Sequence, residues 1–168
     1  MSVFDAGPLG AFDIVYSWGV LHHTGAMWPA LERAASYVRP GGLLAVALYR
    51  ATRLDGFWTL EKRLYSQAPR PIQAVARAGY RGLYRMANVL RGRDHRAFLK
   101  NYRTSRGMDF DHDVHDWLGG YPYETASAPD VAATMEQLGF SPERAFVQPK
   151  PIGVMGSGCD EYVYRRKS

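Results

Sequence analysis

Two short apolar runs stand out from an otherwise mixed chain. Phe12 to Ser17 (FDIVYS) is β-branched and aromatic, and Leu43 to Tyr49 (LLAVALY) is almost wholly apolar. Runs of this length and make-up read as strands buried on both faces. Between them, Met27 to Val38 places Leu31, Ala34, Ala35 and Val38 at helical spacing. Pro29 suits the first turn of that helix, where a missing N–H costs nothing. Arg39-Pro40-Gly41-Gly42 is expected to stop the helix and turn the chain into the second strand. Strand, helix, turn and strand make one βαβ unit, so the two strands are expected to be parallel.

The middle of the chain changes period. Gly56 to Gln67 and Pro71 to Leu90 read as amphipathic helices separated by Pro69 and Pro71, and a shorter helix is expected from Asp94 to Tyr102. An acidic, aromatic stretch follows Gly107. Ser127-Ala128-Pro129-Asp130 then opens a helix, with Ser127 as its N-cap, that runs through Val131, Met135 and Leu138 to Gly139. Arg144 to Gln148 and Glu161 to Arg165 are expected as two closing strands. The glycine-rich loop between them suits an antiparallel hairpin. Its Gly156-Ser157-Gly158 opens no helix, which excludes it as a nucleotide-type loop.

Charge sharpens the division. The chain carries 21 Lys+Arg against 16 Asp+Glu, a net +5. Residues 51 to 107 hold 13 basic side chains and 3 acidic ones, so this segment is +10 and the remainder is −5. The simple reading is a solvated helical face. The sharper one is a surface for an anionic partner such as a phosphate, a nucleic acid or a lipid headgroup. Arg70, Arg77, Arg81 and Arg85 recur at roughly helical spacing and suit a phosphate or acidic lipid.

Other features exclude classes. The single cysteine, Cys159, rules out an internal disulfide framework and a cysteine-based zinc site. The longest nearly apolar run, Gly41 to Tyr49, is half of what a membrane-spanning helix needs, so no transmembrane segment is expected. Asp5 and Asp13 bracket a Gly/Pro turn where a secretory signal would be apolar. A cytoplasmic protein is the expectation. His112, Asp113, His115 and Asp116 invite a metal reading. A first-turn acidic cluster stabilising a helix N-terminus is preferred, and no metal is expected.

FDIVYSWGVLHHTG, followed by a helix and VRPGGLLAVALY, resembles the second half of class I S-adenosylmethionine-dependent methyltransferases, close to the quinone-biosynthesis-type methylases. Arg106-Gly107-Met108 and HDVHDWLGGYPYE look like a subgroup signature. The resemblance implies a Rossmann-like α/β sheet. The family order is 3-2-1-4-5-7-6, of which this chain would supply 4-5-7-6, with a helical insert and a C-terminal antiparallel hairpin. The expected organisation is one truncated domain: residues 1–50 as a βαβ half-site, 51–107 as the basic insert, 108–168 as helix and hairpin. The family's glycine-rich cofactor loop and ribose-holding acid would precede Phe12 and have no counterpart here. Strand four would then be an exposed edge, open to a second copy or a complementary N-terminal half.

The resemblance also implies the roles. S-adenosylmethionine is the cofactor and a small molecule the methyl acceptor. Ser17, Trp18 and Gly19 at the exit of strand four line the cofactor, and Ser2 or Asp5 hydrogen-bond the adenine amine. His22 and His23 are the candidate catalytic residues, since imidazole can accept a proton near neutral pH. Trp117, Tyr121, Tyr123 and Glu124 are candidates to wall the acceptor pocket. Two other readings stand beside this one: a non-catalytic anion- or nucleic-acid-binding module on a methyltransferase remnant, and a remnant without function.

Overall fold

A computed structural model describes residues 2–7, 9–107, 109–147 and 158–168. It divides into two compact units, residues 1–56 with 122–168, and residues 57–121.

In the first unit, β1 (Phe12–Trp18) leads through a single helical turn (Leu21–His23) into α1 (Met27–Ser36), and α1 into β2 (Val38–Tyr49). β1 and β2 are parallel, as the βαβ pattern requires. The helix is shorter than its periodicity suggests. Tyr37 caps it, and Val38 already pairs with Phe12. Arg39 to Gly42 therefore form a bulge inside β2 rather than a turn before it, between the Phe12–Val38 and Ile14–Leu43 pairs. Glycine is required there. Gly41 has φ +76°, and a Cβ on Gly42 would lie 2.9 Å from the Asp13 carbonyl oxygen.

After the second unit the chain returns through α6 (Ala128–Gln137), β3 (Phe140–Phe146) and β4 (Cys159–Arg166). β4 lies antiparallel between β2 and β3, giving the order β1-β2-β4-β3. β3 starts four residues earlier than its composition suggests, because Gly139 (φ +81°) ends α6 abruptly and Phe140 turns into the core. Pro142 is accommodated because β3 is an edge strand with a register shift at that point. The expected hairpin loop, including Gly156 and Ser157, lies outside the described residues, as does Met108.

One face of the sheet is packed. Leu44, Val46 and Leu48 of β2 and Tyr162 and Tyr164 of β4 meet Leu31, Ala34 and Ala35 of α1 and Val131 and Met135 of α6. The other face is bare on β1, where Ile14, Tyr16 and Trp18 are each about half exposed or more. The expectation of a strand buried on both faces is corrected here. The apolar pattern is that of a two-sided strand, but β1 is at the sheet edge and only one of its faces is covered. Ser127 accepts a hydrogen bond from the Asp130 amide and caps α6 as expected. Ser127→Ala should lower the stability of this unit by about 1 kcal/mol in urea denaturation.

The second unit holds α2 (Asp55–Gln67, which starts two residues before it), α3 (Arg70–Leu90), α4 (His95–Arg106) and α5 (Phe110–Gly119). The boundary expected at residue 107 falls inside this unit. α5 joins α3 and α4 through a core of Tyr102, Phe110 and Val114, with Tyr80, Tyr84, Phe98 and Trp117 packed around it. Asp94 and Asp109 cap α4 and α5 by accepting from the amides of Arg96 and Asp111. Gly107, with φ +69°, ends α4 in the left-handed conformation. The Lys62 ammonium is buried, donates to the Trp117 carbonyl at 2.7 Å and lies over the Trp58 ring. No helix among the described residues is long and apolar enough to cross a membrane.

Candidate functional site

The carboxyl ends of parallel strands are where open α/β sheets gather ligands, because loops leave there and helix N-termini point there. In this chain that place is formed by the exits of β1 and β2. Gly19 leaves β1 with φ +68°, and its N–H donates to the Ala47 carbonyl at 3.2 Å, holding the exit beside β2. Nothing lies within 4 Å of the position a Cβ on Gly19 would take, so the backbone is open to close approach. Ser17 is half-buried. Trp18 projects onto the bare face, stacked with Tyr16 at 6.0 Å.

His22 and His23 follow on the single helical turn. The His22 ring is 1% exposed and lies 3.9 Å, centroid to centroid, from the ring of Tyr49 at the end of β2. Its Nδ1 accepts from the Tyr49 amide at 3.2 Å, which puts the ring proton on Nε2. Burial, and then the neighbouring His23, lower its pKa to about 3. A histidine with that pKa stays neutral at physiological pH and is a weak proton acceptor, so His22 braces the strand ends. The half-buried His23 donates from Nδ1 to the Pro122 carbonyl at 2.9 Å, which leaves the lone pair on Nε2. It packs edge-on against both His22 and Tyr49.

The two motifs singled out in the sequence meet here. Besides accepting from His23 at Pro122, the 122–126 segment receives α1. The Glu124 carboxylate accepts from the Met27 amide, at 3.0 Å to Oε2 and 3.2 Å to Oε1, and so caps α1. The Glu124 amide donates to the His22 carbonyl at 3.1 Å. Gly25, with φ +73°, has no Cβ to press on the Pro122 ring, which would lie 3.3 Å away. Tyr123 is buried with its ring 5.2 Å from that of Tyr49. Leu21-His22-His23-Thr24-Gly25 and Pro122-Tyr123-Glu124 are therefore one assembly built across about a hundred residues of chain.

The other candidates are placed differently. Ser2 and Asp5 sit in a turn whose hydrogen bonds are local, Phe4 N–H to Ser2 Oγ and Asp5 N–H to the Ser2 carbonyl. The adjoining Ala6 carbonyl accepts from Arg33 and from the Tyr37 hydroxyl on α1 and just beyond it. Trp117 and Tyr121 belong to the second unit, Tyr123 and Glu124 to the first. The four acidic and histidine positions of α5 do not converge. Asp113 is buried and accepts from the Tyr102 hydroxyl, while His115 is bonded to Tyr65, 2.7 Å away. His112 lies in a shallow groove with Arg103 and Asp109. Among the described residues no three His, Cys, Asp or Glu side chains could share a metal ion.

Two structural residues of the site were not anticipated. Arg50 continues β2 past Tyr49, and its guanidinium embraces the Asp160 carboxylate with Nε at 3.0 and 3.1 Å and Nη2 closer still. This ion pair straps β4 to β2 at the end of β2 that carries Tyr49. Its only sequence signal is a charge at each end of an apolar strand, which ordinary solvated strand ends also show.

The fold is that of a class I methyltransferase, in part. No family model matches the chain, and no curated protein matches its sequence. Among solved structures, that of PKMT2 from Rickettsia typhi covers the whole chain at 13% identity and a TM-score of 0.56. The same protein in complex with AdoHcy gives 13% and 0.55. A 1,6-didemethyltoxoflavin-N1-methyltransferase from Burkholderia thailandensis, with 1,6-didemethyltoxoflavin and S-adenosylhomocysteine bound, is 14% identical over the whole chain with a TM-score of 0.49. The chain spans 39%, 38% and 49% of the lengths of these proteins.

Proposed function

We propose that the chain forms one wall of an S-adenosylmethionine-dependent methyl-transfer site for a small-molecule acceptor. The observation that carries this reading is the convergence of an open glycine backbone, Gly19, with the His22–His23–Tyr49–Tyr123 cluster at the exits of two parallel strands.

The residues fit such a cofactor on one side. Gly19 gives the backbone access a nucleoside needs. The half-buried members of the cluster, His23 and Tyr49, are aromatic, which suits a flat ring or a sulfonium better than it would a phosphate. The group would supply a methyl activated on positively charged sulfur. Ser17, Trp18 and Gly19 would hold it, with Ser2 or Asp5 at the adenine amine. His22 would keep the two strand ends in register through its bond to the Tyr49 amide. His23, oriented by Pro122, presents Nε2 as a hydrogen-bond or proton acceptor for an acceptor hydroxyl or carbon acid. Tyr123 and Glu124 would shape the acceptor side, Glu124 by fixing α1. No acidic side chain on the segments 17–25 or 45–50 is placed to hold ribose hydroxyls. That role would fall to strands paired with β1, from further chain, a complementary half or a second copy. The bare edge and exposed Ile14, Tyr16 and Trp18 favour that arrangement.

Amide resonances of the ¹⁵N-labelled chain, followed while S-adenosylhomocysteine is added, test the reading. Shifts concentrated at Ser17 to Thr24 and Tyr49 are expected, even where affinity is weak. Shifts confined to other regions, or none at millimolar ligand, would overturn it.

A further inference from the structure

The turn between α3 and α4 is built more firmly than a connection needs. Gly92 takes φ +67°, the Arg93 N–H donates to the Asn88 carbonyl at 2.9 Å, and the Asp94 carboxylate accepts from the Arg96 amide at 2.8 Å. Asn88 is 2% exposed. Its side-chain amide donates to His95 Nδ1 at 3.2 Å, which puts the imidazole proton on Nε2 and makes that nitrogen a donor. The backbone and the side chain of one buried residue therefore hold Arg93 and His95 together, and the cap holds Arg96 beside them. Side chains anchored in this way are presented in a fixed arrangement before any ligand arrives.

Those residues surround a hollow of about 350 Å³, lined by Arg85, Val89, Arg93, Asp94, His95 and Arg96. Two arginines earlier on α3 are already engaged, Arg77 with the Tyr65 hydroxyl and Arg81 with Asp111. Among the described residues Arg85, Arg93 and Arg96 have no carboxylate partner. The hollow thus gathers three guanidiniums against one carboxylate, Asp94, which is bonded to the end of α4. The adjoining hollow shares His95 and differs in charge. There Arg81 and Arg103 face Asp109 and Asp111, so the two signs balance. Positive charge is therefore concentrated at the α3–α4 turn and does not run on along α4.

This arrangement selects among anions. Guanidiniums bind phosphoryl oxygens through paired N–H donors, and the His95 N–H adds another. A carboxylate ligand would leave two of the three arginines unmatched. One phosphoryl group carries about −2, so three guanidiniums suit two joined phosphoryl groups better than one. A polynucleotide following α4 would leave the charged hollow and run onto Asp109 and Asp111. The concentration of charge in one small hollow fits a small molecule instead. We propose that the α3–α4 turn binds the diphosphate group of a small molecule through Arg85, Arg93, Arg96 and His95, independently of whether the first unit transfers methyl groups.

Calorimetric titration of the full chain with inorganic pyrophosphate tests this, with inorganic phosphate, sulfate, adenosine diphosphate and oligouridylate as comparisons. Pyrophosphate is expected to bind about tenfold or more tighter than phosphate or sulfate, and to shift the amide resonances of residues 92–97. The double variant Arg93→Gln with Arg96→Gln, both exposed, should weaken pyrophosphate binding about tenfold or more while keeping its helical circular dichroism. Arg81→Gln, in the charge-balanced hollow, should bind as wild type does. Adenosine diphosphate binding more tightly than pyrophosphate would support the proposal with a nucleotide as the source of the diphosphate; equal affinity would support it with the free anion. No pyrophosphate binding at millimolar concentration would overturn it. So would equal affinity for sulfate and pyrophosphate, or an Arg93/Arg96 variant that binds normally. Oligouridylate that binds more tightly than either diphosphate and shifts residues along the whole of α4 would assign the surface to nucleic acid and likewise overturn it.

Discussion

Asp160→Ala should cost about 3 kcal/mol or more of folding stability, the largest single-residue effect expected outside the apolar core. The Asp160 carboxylate is 1% exposed and receives the Arg50 guanidinium through both Nε and Nη2. Truncation leaves a guanidinium whose side chain is 16% exposed without its counter-charge, and breaking one side of such a pair typically costs about 3–5 kcal/mol. The pair sits at the Leu48–Asp160 register position, so its loss also loosens β4 from β2 at the end where the Tyr49 cluster is built. Asp160→Asn retains an acceptor and should cost less. Replacing both partners, Arg50→Met with Asp160→Leu, should recover part of the loss, because no charge is then stranded. Urea denaturation of the four proteins checks this. A single Asp160→Ala variant within about 0.5 kcal/mol of wild type would show that the pair is solvated and contributes little.

The elements were legible in the sequence wherever local chemistry decides them. The βαβ unit follows from two apolar runs around Leu31, Ala34 and Ala35, and α6 follows from Ser127 and Pro129. Hydrophobic period and caps act over a few residues, so one stretch of sequence contains the whole signal. Where tertiary partners decide, no single stretch of sequence contains the signal. The composition of β1 is that of a strand covered on both faces, and only neighbours can show that Ile14, Tyr16 and Trp18 are bare. Arg39 to Gly42 look like a turn until Phe12 pairs with Val38 and makes them a bulge. β3 begins at Phe140 because Gly139 ends α6 and that ring is buried in the core, facts no propensity contains.

The candidate site was legible as parts but not as an assembly. The LHHTG and GYPYE motifs were conspicuous separately. Nothing in one dimension says that Pro122 accepts from His23 or that Glu124 caps α1. The structure redistributes their roles accordingly. The two histidines, equal in sequence, differ by burial and by which nitrogen is bonded. His22 acts as a brace, and His23 bonds through Nδ1 to Pro122 and keeps Nε2 as an acceptor nitrogen.

The difference between the two histidines should appear as a pH dependence of stability. Burial holds the His22 pKa at about 3 in the folded chain, against about 6.5 when unfolded. The folded form therefore favours the neutral ring. Above about pH 6.5 both states are neutral and the contribution is fully present. As pH falls from about 6.5 toward 3, the unfolded chain takes up a proton that the folded chain refuses, and stability declines. The limiting slope is about 1.4 kcal/mol per pH unit, so up to about 3 kcal/mol is lost between pH 6.5 and 4. Carboxylates held by partners add to acid destabilisation; burial aside, Glu143, kept low by its bond to Arg165, is one. The comparison that isolates His22 is His22→Gln, whose amide oxygen can still accept from the Tyr49 amide but does not titrate. The variant should be less stable than wild type at pH 7.5, because glutamine packs poorly against the Tyr49 ring. It should also show a flatter decline between pH 6.5 and 4, so that the two curves converge in acid. Parallel curves would mean that His22 is accessible to protons in the folded chain and does not brace the strand ends as a neutral ring.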